Sequence, residues 1–338
     1  MHAPVAGTGG RARSGAMGPI GPYAVLRGLD DETSGIPVPE QRFIGRSADG
    51  DRTVLISVPL PGADPGRFLA EAEASRYLLG PWSSPATELA APGDAPWYAR
   101  PYLPAVPLPT ALALYGGPLP ERTVRALGAA LVETLIIGHG QNLIHAGVSP
   151  AAVLLAADGP RLTCFGAVRA AAEDGTPRSG LPGLESGSLP PEQANGGRPH
   201  PMGDVYALGA TLAYAATGYT VPEREELPAA LRTVITGCLS RDPTVRPRPA
   251  ELLDALSPIA DDATSAPAPA PAPEAPAGFA AAAPSPATVL DAAGNPAGRA
   301  AAALGPGWLP GRIIAALARQ SAELLAANIP LPPAARQD

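Results

Sequence analysis

Residues 143–170 read LIHAGVSPAAVLLAADGPRLTCFGAVRA. The stretch predicts two strands joined by a tight turn at Asp158-Gly159, because that dipeptide suits a two-residue hairpin. A loop that starts at His145 leads into them. It contains a histidine, a proline and little else that can do chemistry. It has the outline of a catalytic loop from which the acids and bases are absent.

Upstream of this stretch the pattern is strand-rich. Residues 23–29 and 42–60 alternate as strands do, and the second run breaks at Ala48-Asp49-Gly50-Asp51, which predicts a hairpin. Residues 64–80 predict a helix with Asp64 as N-cap, Pro65 in the first turn and Gly80 as its stop. Residues 97–103 read as a further strand. The period then changes. Residues 120–142 form a long, mostly apolar helical pattern, and residues 203–218 are apolar nearly all round, which predicts a buried helix. Shorter helical patterns follow at 228–239 and 248–256. Strands first and helices second predict an α+β domain in two lobes.

Composition agrees with one two-lobed domain plus tails. The chain has 338 residues, 46% of them hydrophobic, with 45 prolines and 38 glycines that predict long unpacked stretches. A net charge of -7 argues against non-specific nucleic-acid binding. All 24 basic residues are arginine, so no mechanism that needs a side-chain amine is open to this chain. Cys164 and Cys238 have no metal-type spacing, and His2, His139, His145 and His200 form no ligand motif. With no membrane-length apolar run and no signal-like leader, the expected setting is the reducing cytoplasm.

The ends read differently. Residues 1–20 predict a flexible leader. Residues 258–306 are Ala/Pro-rich and read as a disordered linker, since alternating prolines favour extended chain and build no core. Residues 307–329 predict one amphipathic helix. Ile313, Ile314, Leu317, Leu324 and Leu325 share one side, and Arg312, Arg319, Gln320 and Glu323 lie on the other. Two roles stay open for it: docking on its own domain, or a helix-in-groove contact with another protein. A membrane-surface role is disfavoured by the sparse basic charge.

The order of these motifs resembles that of bacterial eukaryotic-like serine/threonine protein kinases, as a degenerate member. GPYAVLRGL resembles their first strand, and GPLPERTVRALGAALVETL the long helix before the catalytic loop. IHAGVSPAAVLL stands at the His-Arg-Asp-Leu-Lys-Pro-x-Asn loop, TCFG at Asp-Phe-Gly, and PPEQ at Ala-Pro-Glu. GDVYALGATLAYAATG resembles the family's buried Asp-containing helix, and CLSRDPTVRPRPAEL its closing segment with a structural Arg. The resemblance covers residues 21–257 and implies a bilobal protein-kinase-like fold, with a small lobe over about 21–104 and a larger helical lobe over 105–257.

The resemblance also locates what is missing. Phosphoryl transfer needs cradled phosphates, a lysine, bound Mg²⁺ and an oriented hydroxyl. Here Ser57 stands at the lysine, Gly147 at the base, Ala152 at the asparagine ligand and Cys164 at the main Mg²⁺ carboxylate. Cysteine is a poor Mg²⁺ partner, and with no basic neighbour in view Cys164 reads as an inert buried thiol. The glycine-rich loop is replaced by DDETSGIPVPEQRF, whose Asp30, Asp31 and Glu32 would repel phosphate and whose Pro37 and Pro39 lack N–H donors. Glu71, at the position that pairs the lysine, reads as a solvated carboxylate once the lysine is gone. The positions that hold the family's fold survive: His145, Phe165, Gly166, Glu192, Asp204 and Arg246.

The chain therefore reads as a pseudokinase, a regulatory or binding module whose expected partner is a protein, such as another kinase or signalling protein. No cofactor is expected. The alternative is a serine/threonine kinase with displaced catalytic residues, which alone would need ATP and Mg²⁺. The counterpart of the activation segment, residues 171–189, offers Thr176, Ser179, Ser186 and Ser188, and reads as a plain loop before it reads as a regulatory one.

Overall fold

A computed structural model describes residues 18–30, 35–166, 183, 185–257 and 297–327. The leader over 1–17, Asp31, Glu32, Thr176 and Ser179 lie outside the described residues.

The small lobe is a five-stranded antiparallel sheet. Its strands are β1 (Tyr23–Gly28), β2 (Glu40–Ser47), β3 (Thr53–Pro59), β4 (Glu88–Leu89) and β5 (Tyr98–Pro101), in the order β1-β2-β3-β5-β4. The hairpin forms where the sequence places it, with Arg42 of β2 opposite Ser57 of β3. Helix α1 (Pro65–Ser75) crosses this lobe. The Asp64 carboxylate accepts from the Arg67 amide at 3.1 Å, so the predicted N-cap is in place, but the helix stops before Gly80. Phe68 and Ala72 of α1 pack on Tyr98.

The large lobe is helical. Helix α2 (Leu108–Tyr115) leads to α3 (Glu121–Gly140), followed by α4 (Pro191–Ala194), α5 (Pro201–Thr217), α6 (Ala229–Cys238) and α7 (Pro249–Leu256). The apolar sides of α3 and α5 are buried in one cluster with Leu231, Ile235, Leu252 and Leu256. A three-stranded sheet, β6 (Ala105–Pro107), β7 (Val153–Ala156) and β8 (Gly159–Leu162), sits where the lobes meet. β7 and β8 are the two strands read from the opening stretch, but the turn between them is Ala157-Asp158 and not Asp158-Gly159, because Gly159 already pairs with Ala156 as the first residue of β8. Sequence patterning misses α2, β4 and β6. β4 and β6 have two and three residues, too few to show a period.

The tail differs from the sequence reading. Of the span 258–306 read as linker, residues 258–296 lie outside the described residues, and its end is not linker, because helix α8 (Ala297–Ala303) lies there. Ala300 and Leu304 are buried in the large-lobe cluster, which alanine-rich composition conceals. Helix α9 (Gly311–Ala326) also docks on its own domain. Its buried stripe is Ile313, Leu317, Gln320 and Leu324; Ile314 and Leu325, assigned to the same arc, are 39% and 83% exposed. Among the described residues, no helix is long and apolar enough to cross a membrane.

Trp308 pins this tail. Its ring is buried, its indole N–H donates to the Ala157 carbonyl at 2.9 Å, and its own carbonyl accepts from Thr123 Oγ1 at 2.6 Å. Trp308→Ala should lower the unfolding free energy by about 3 kcal/mol, read by denaturant melts of the full chain. An unchanged midpoint would mean the tail contributes nothing to the fold.

Candidate functional site

The loop from His145 is positioned by a carboxylate. Asp204, fully buried in the first turn of α5, accepts from the backbone amides of His145 at 2.9 Å and Ala146 at 2.7 Å. Its Oδ2 also lies 2.8 Å from His139 Nε2 of α3. The His145 ring stands edge-on to Phe165 at 5.5 Å, and the Gly166 amide donates to the His145 carbonyl at 2.8 Å. The structure thus brings together His145, Phe165, Gly166 and Asp204.

Where a base is expected there is no room for one. A Cβ on Gly147 would lie 2.1 Å from the Cys164 carbonyl oxygen and 3.0 Å from the Gly166 amide nitrogen. A Cβ on Gly166 would lie 2.6 Å from the Ala146 carbonyl. The loop and the TCFG segment therefore pack backbone on backbone. Ala146 and Cys164 take left-handed φ of 50° and 59°, a conformation that non-glycine residues adopt at a cost. Ser149, at the lysine position of the loop, caps the short turn Pro150–Ala152.

The cleft contains two arginines, and both are already paired. Arg42 of β2 is fully buried. Its guanidinium binds the Asp30 carboxylate through Nε at 2.9 Å and through a second, short contact. Its Nη1 reaches the Ala151 carbonyl at 2.8 Å and comes within 3.9 Å of Cys164 Sγ. Asp30 thus faces a cation of its own chain. The second arginine, Arg100 of β5, lies 3.6 Å from the Glu40 carboxylate with both side chains buried. Glu40 also accepts from Ser57 Oγ at 3.0 Å and from the Tyr98 hydroxyl, which in turn accepts from Arg100 at 2.6 Å. Ser57 is therefore one member of a Glu40–Arg100–Tyr98 network.

Two sequence readings are corrected here. Glu71 is not solvated: it is buried and lines the same inter-lobe cavity as Glu40, Tyr98, Arg100, His145 and Cys164. That cavity holds about 20 Å³, the room of about one water. Cys164 does have basic neighbours, Arg42 among them, but the thiol stays protonated. Burial, reinforced by the Glu40 carboxylate, pushes it up to about 12. Sequence reasoning missed Glu40, Arg42 and Arg100. A signal was present: Glu40 and Arg42 fall on alternate positions of β2 with Ile44, and hence on one face beside an apolar residue.

Within the segment that replaces the glycine-rich loop, the described residues from 35 onward fold inward. Ile36 packs against the large-lobe cluster. The Gly183 backbone lies so close to Val38 and Pro39 that a Cβ there would be 2.4 Å from Pro39 Cα.

The remaining pair of family positions forms a bidentate ion pair. Arg246 Nη1 and Nη2 bind the two Glu192 carboxylate oxygens at 2.7 and 2.8 Å, and Arg246 also donates to the Ser240 and Met202 carbonyls. Burial alone would raise the Glu192 carboxyl, but the Arg246 hydrogen bonds outweigh it and hold the group below its ordinary value. A carboxyl lowered on folding stabilises the fold above its unfolded pKa, and that stabilisation fades as pH falls through the folded value.

Three outcomes follow. Gly147→Asp should yield no phosphotransfer, and Gly147→Ala alone should cost about 2 kcal/mol or more in a denaturant melt, because the added Cβ strikes backbone. Glu192→Gln should be destabilised at neutral pH and should lose part of the stability change that the parent shows below the ordinary glutamate value of about 4.5. Cys164 and Cys238, both buried and both pushed up to about 12, should resist iodoacetamide at pH 8 until the chain is unfolded. Labelling of the native protein at either thiol would contradict that burial.

No protein-family profile matches the chain. Curated relatives do. The probable serine/threonine-protein kinase PkwA of Thermomonospora curvata is 34% identical over 265 residues, which is 72% of this chain and 35% of that protein. The serine/threonine-protein kinase AfsK of Streptomyces coelicolor is 31% identical over 261 residues, 71% of this chain and 32% of that protein. The chain thus spans about a third of the length of these relatives. Among solved structures, the kinase domain of PknI from Mycobacterium tuberculosis superposes with a TM-score of 0.53 at 21% identity, over 70% of this chain and 94% of that one. Fold, motif order and relatives converge: the chain carries a protein-kinase-like domain whose homologues are bacterial serine/threonine protein kinases.

Proposed function

We propose that this domain works as a pseudokinase: a regulatory or binding module that engages a protein partner and transfers no phosphate. The observation that carries this reading is the pairing of Arg42 with Asp30 and of Arg100 with Glu40. A nucleoside triphosphate needs unpaired positive charge, and each cation here, itself buried, would have to give up its carboxylate partner to supply it. The residues present do not fit Mg²⁺ either. A protonated thiol at Cys164 and a methyl at Ala152 stand where hard oxygen ligands are required. The contact between Gly147 and the Cys164 carbonyl leaves no site for a base. Loss of one member of a cooperating catalytic set already costs orders of magnitude in rate, and here the whole set is replaced.

A second reading keeps the activity. The relatives named above are called serine/threonine-protein kinases, and a displaced arginine could in principle serve in place of the lysine. Under it, Arg42 or Arg100 would exchange its carboxylate for phosphate, and ATP and Mg²⁺ would be cofactors. In either case the negative net charge disfavours nucleic acid as a ligand, and a soluble, cytoplasmic signalling role suits the composition.

Thermal melts with ATP, with and without Mg²⁺, separate the two readings. The pseudokinase reading expects no Mg²⁺-dependent shift in the melting temperature. A shift of several degrees that requires the metal and is abolished by EDTA would overturn it.

A further inference from the structure

The C-terminal segment is fixed at one end. The Ala300 amide donates to the buried Glu133 carboxylate at 2.9 Å, and Trp308 is held through both its ring and its carbonyl. Helix α9 then departs at Pro310 and Gly311. Ile313 and Leu317 enter the large-lobe cluster. Leu324, two turns beyond Leu317, enters a different one. There it meets Leu29, Ile44 and Leu55 of the small lobe and Ala105, Leu154 and Ala156 of the strands beneath. One helix face therefore closes the apolar seam along which the lobes meet.

The small lobe grips the far end of the helix. Arg46 donates to the Leu324 carbonyl and, at 3.3 Å, to the Ala327 carbonyl. The last turn of α9 has no basic residue of its own, so Arg46 supplies the positive group that a helix C-terminus favours. Arg46 follows Arg42 and Ile44 at alternate positions of β2, so one strand face serves the cleft, the seam and the helix end in turn. Arg27 adds an exposed contact to Glu323 at 3.2 Å, of the kind that contributes little.

The docked face has a flaw. Gln320 lies in the middle of the stripe at 4% exposure, and neither end of its amide meets a hydrogen-bond partner among the described residues. A buried amide left unmatched disfavours the docked state and regains water when the helix lifts. The segment is thus firmly held before Pro310 and carries a polar mismatch after it.

We propose that α9 is a releasable clasp. Docked, it seals the inter-lobe seam and fixes the angle between the lobes. Lifted about the Pro310–Gly311 joint, it uncovers the seam and frees the small lobe. The clasp does not depend on whether the cleft transfers phosphate.

Hydrogen exchange on the full chain tests it. Gln320→Leu removes the mismatch at similar volume, and should slow exchange across α9 by about tenfold. Leu324→Asp should speed exchange in α9 and in β1–β2 together, with α3 and α5 unchanged. Faster exchange in α9 alone would overturn the proposal, since the helix would then not hold the small lobe. Unchanged or faster exchange of α9 in Gln320→Leu would overturn it too, since the mismatch would not be what loosens the helix. If Leu324→Asp does not fold, Arg46→Gln keeps every apolar contact and is read the same way. Faster exchange in both α9 and β1–β2 supports the clasp; exchange equal to the parent in both overturns it.

Discussion

The architecture of the cleft depends on one carboxylate. Asp204 is a buried charge, and such a charge is tolerable only with donors around it. It has two loop amides and the ring of His139, and it sits in the first turn of α5, where the helix dipole favours negative charge. Taking the amides of His145 and Ala146 holds Ala146 in a left-handed turn. That turn presses Gly147 onto the Cys164 carbonyl and lets the Gly166 amide reach the His145 carbonyl. The loop keeps its shape because the shape is set by backbone groups.

Charge in the cleft follows a different economy from that of a phosphate site. Arg42 and Arg100 come from two strands of one sheet, and their carboxylates, Asp30 and Glu40, lie close by on the same sheet or next to it. Both of these cations thus meet carboxylates of the same lobe. Ser57, in the position that the family resemblance gives to a lysine, joins this arrangement as a hydrogen-bond donor to Glu40. Tyr98 ties it together, donating to Glu40 and accepting from Arg100.

Much of this was legible in the sequence, and the rest was hidden for physical reasons. Strand alternation located β1 to β3 and the presence of the β7–β8 hairpin, because period is a local property, but the turn itself falls one residue before Asp158-Gly159. His145, Phe165, Asp204, Glu192 and Arg246 stood out in the sequence through the family resemblance, and in the structure the first three meet around the His145 loop while Arg246 pairs separately with Glu192. Arg42 was not readable as a cleft residue, because its partners lie 12, 109 and 122 positions away. Glu71 was misread as solvated for the same reason: the burial of a helix carboxylate depends on the lobe beneath it, which no local pattern reveals. On α9 the stripe is narrower than the apolar arc, so Ile314 and Leu325 face out while Gln320 faces in. Helical periodicity fixes a direction, and the partner surface decides how wide the buried face is.

Glu133 has a consequence for how this chain reaches its native state during synthesis. The carboxylate is fully buried in the middle of α3, where it accepts from the Trp82 indole and from the Ala300 amide. The second donor lies 167 residues downstream. A ribosome adding some 5–20 residues per second therefore leaves α3 exposed without that donor for on the order of ten seconds after it emerges. Over that interval Glu133 has the Trp82 indole available as a donor but not yet the Ala300 amide. Completion of the core is thereby coupled to arrival of the tail, and a nascent chain that stalls in the Ala/Pro stretch is held one step short of its native core.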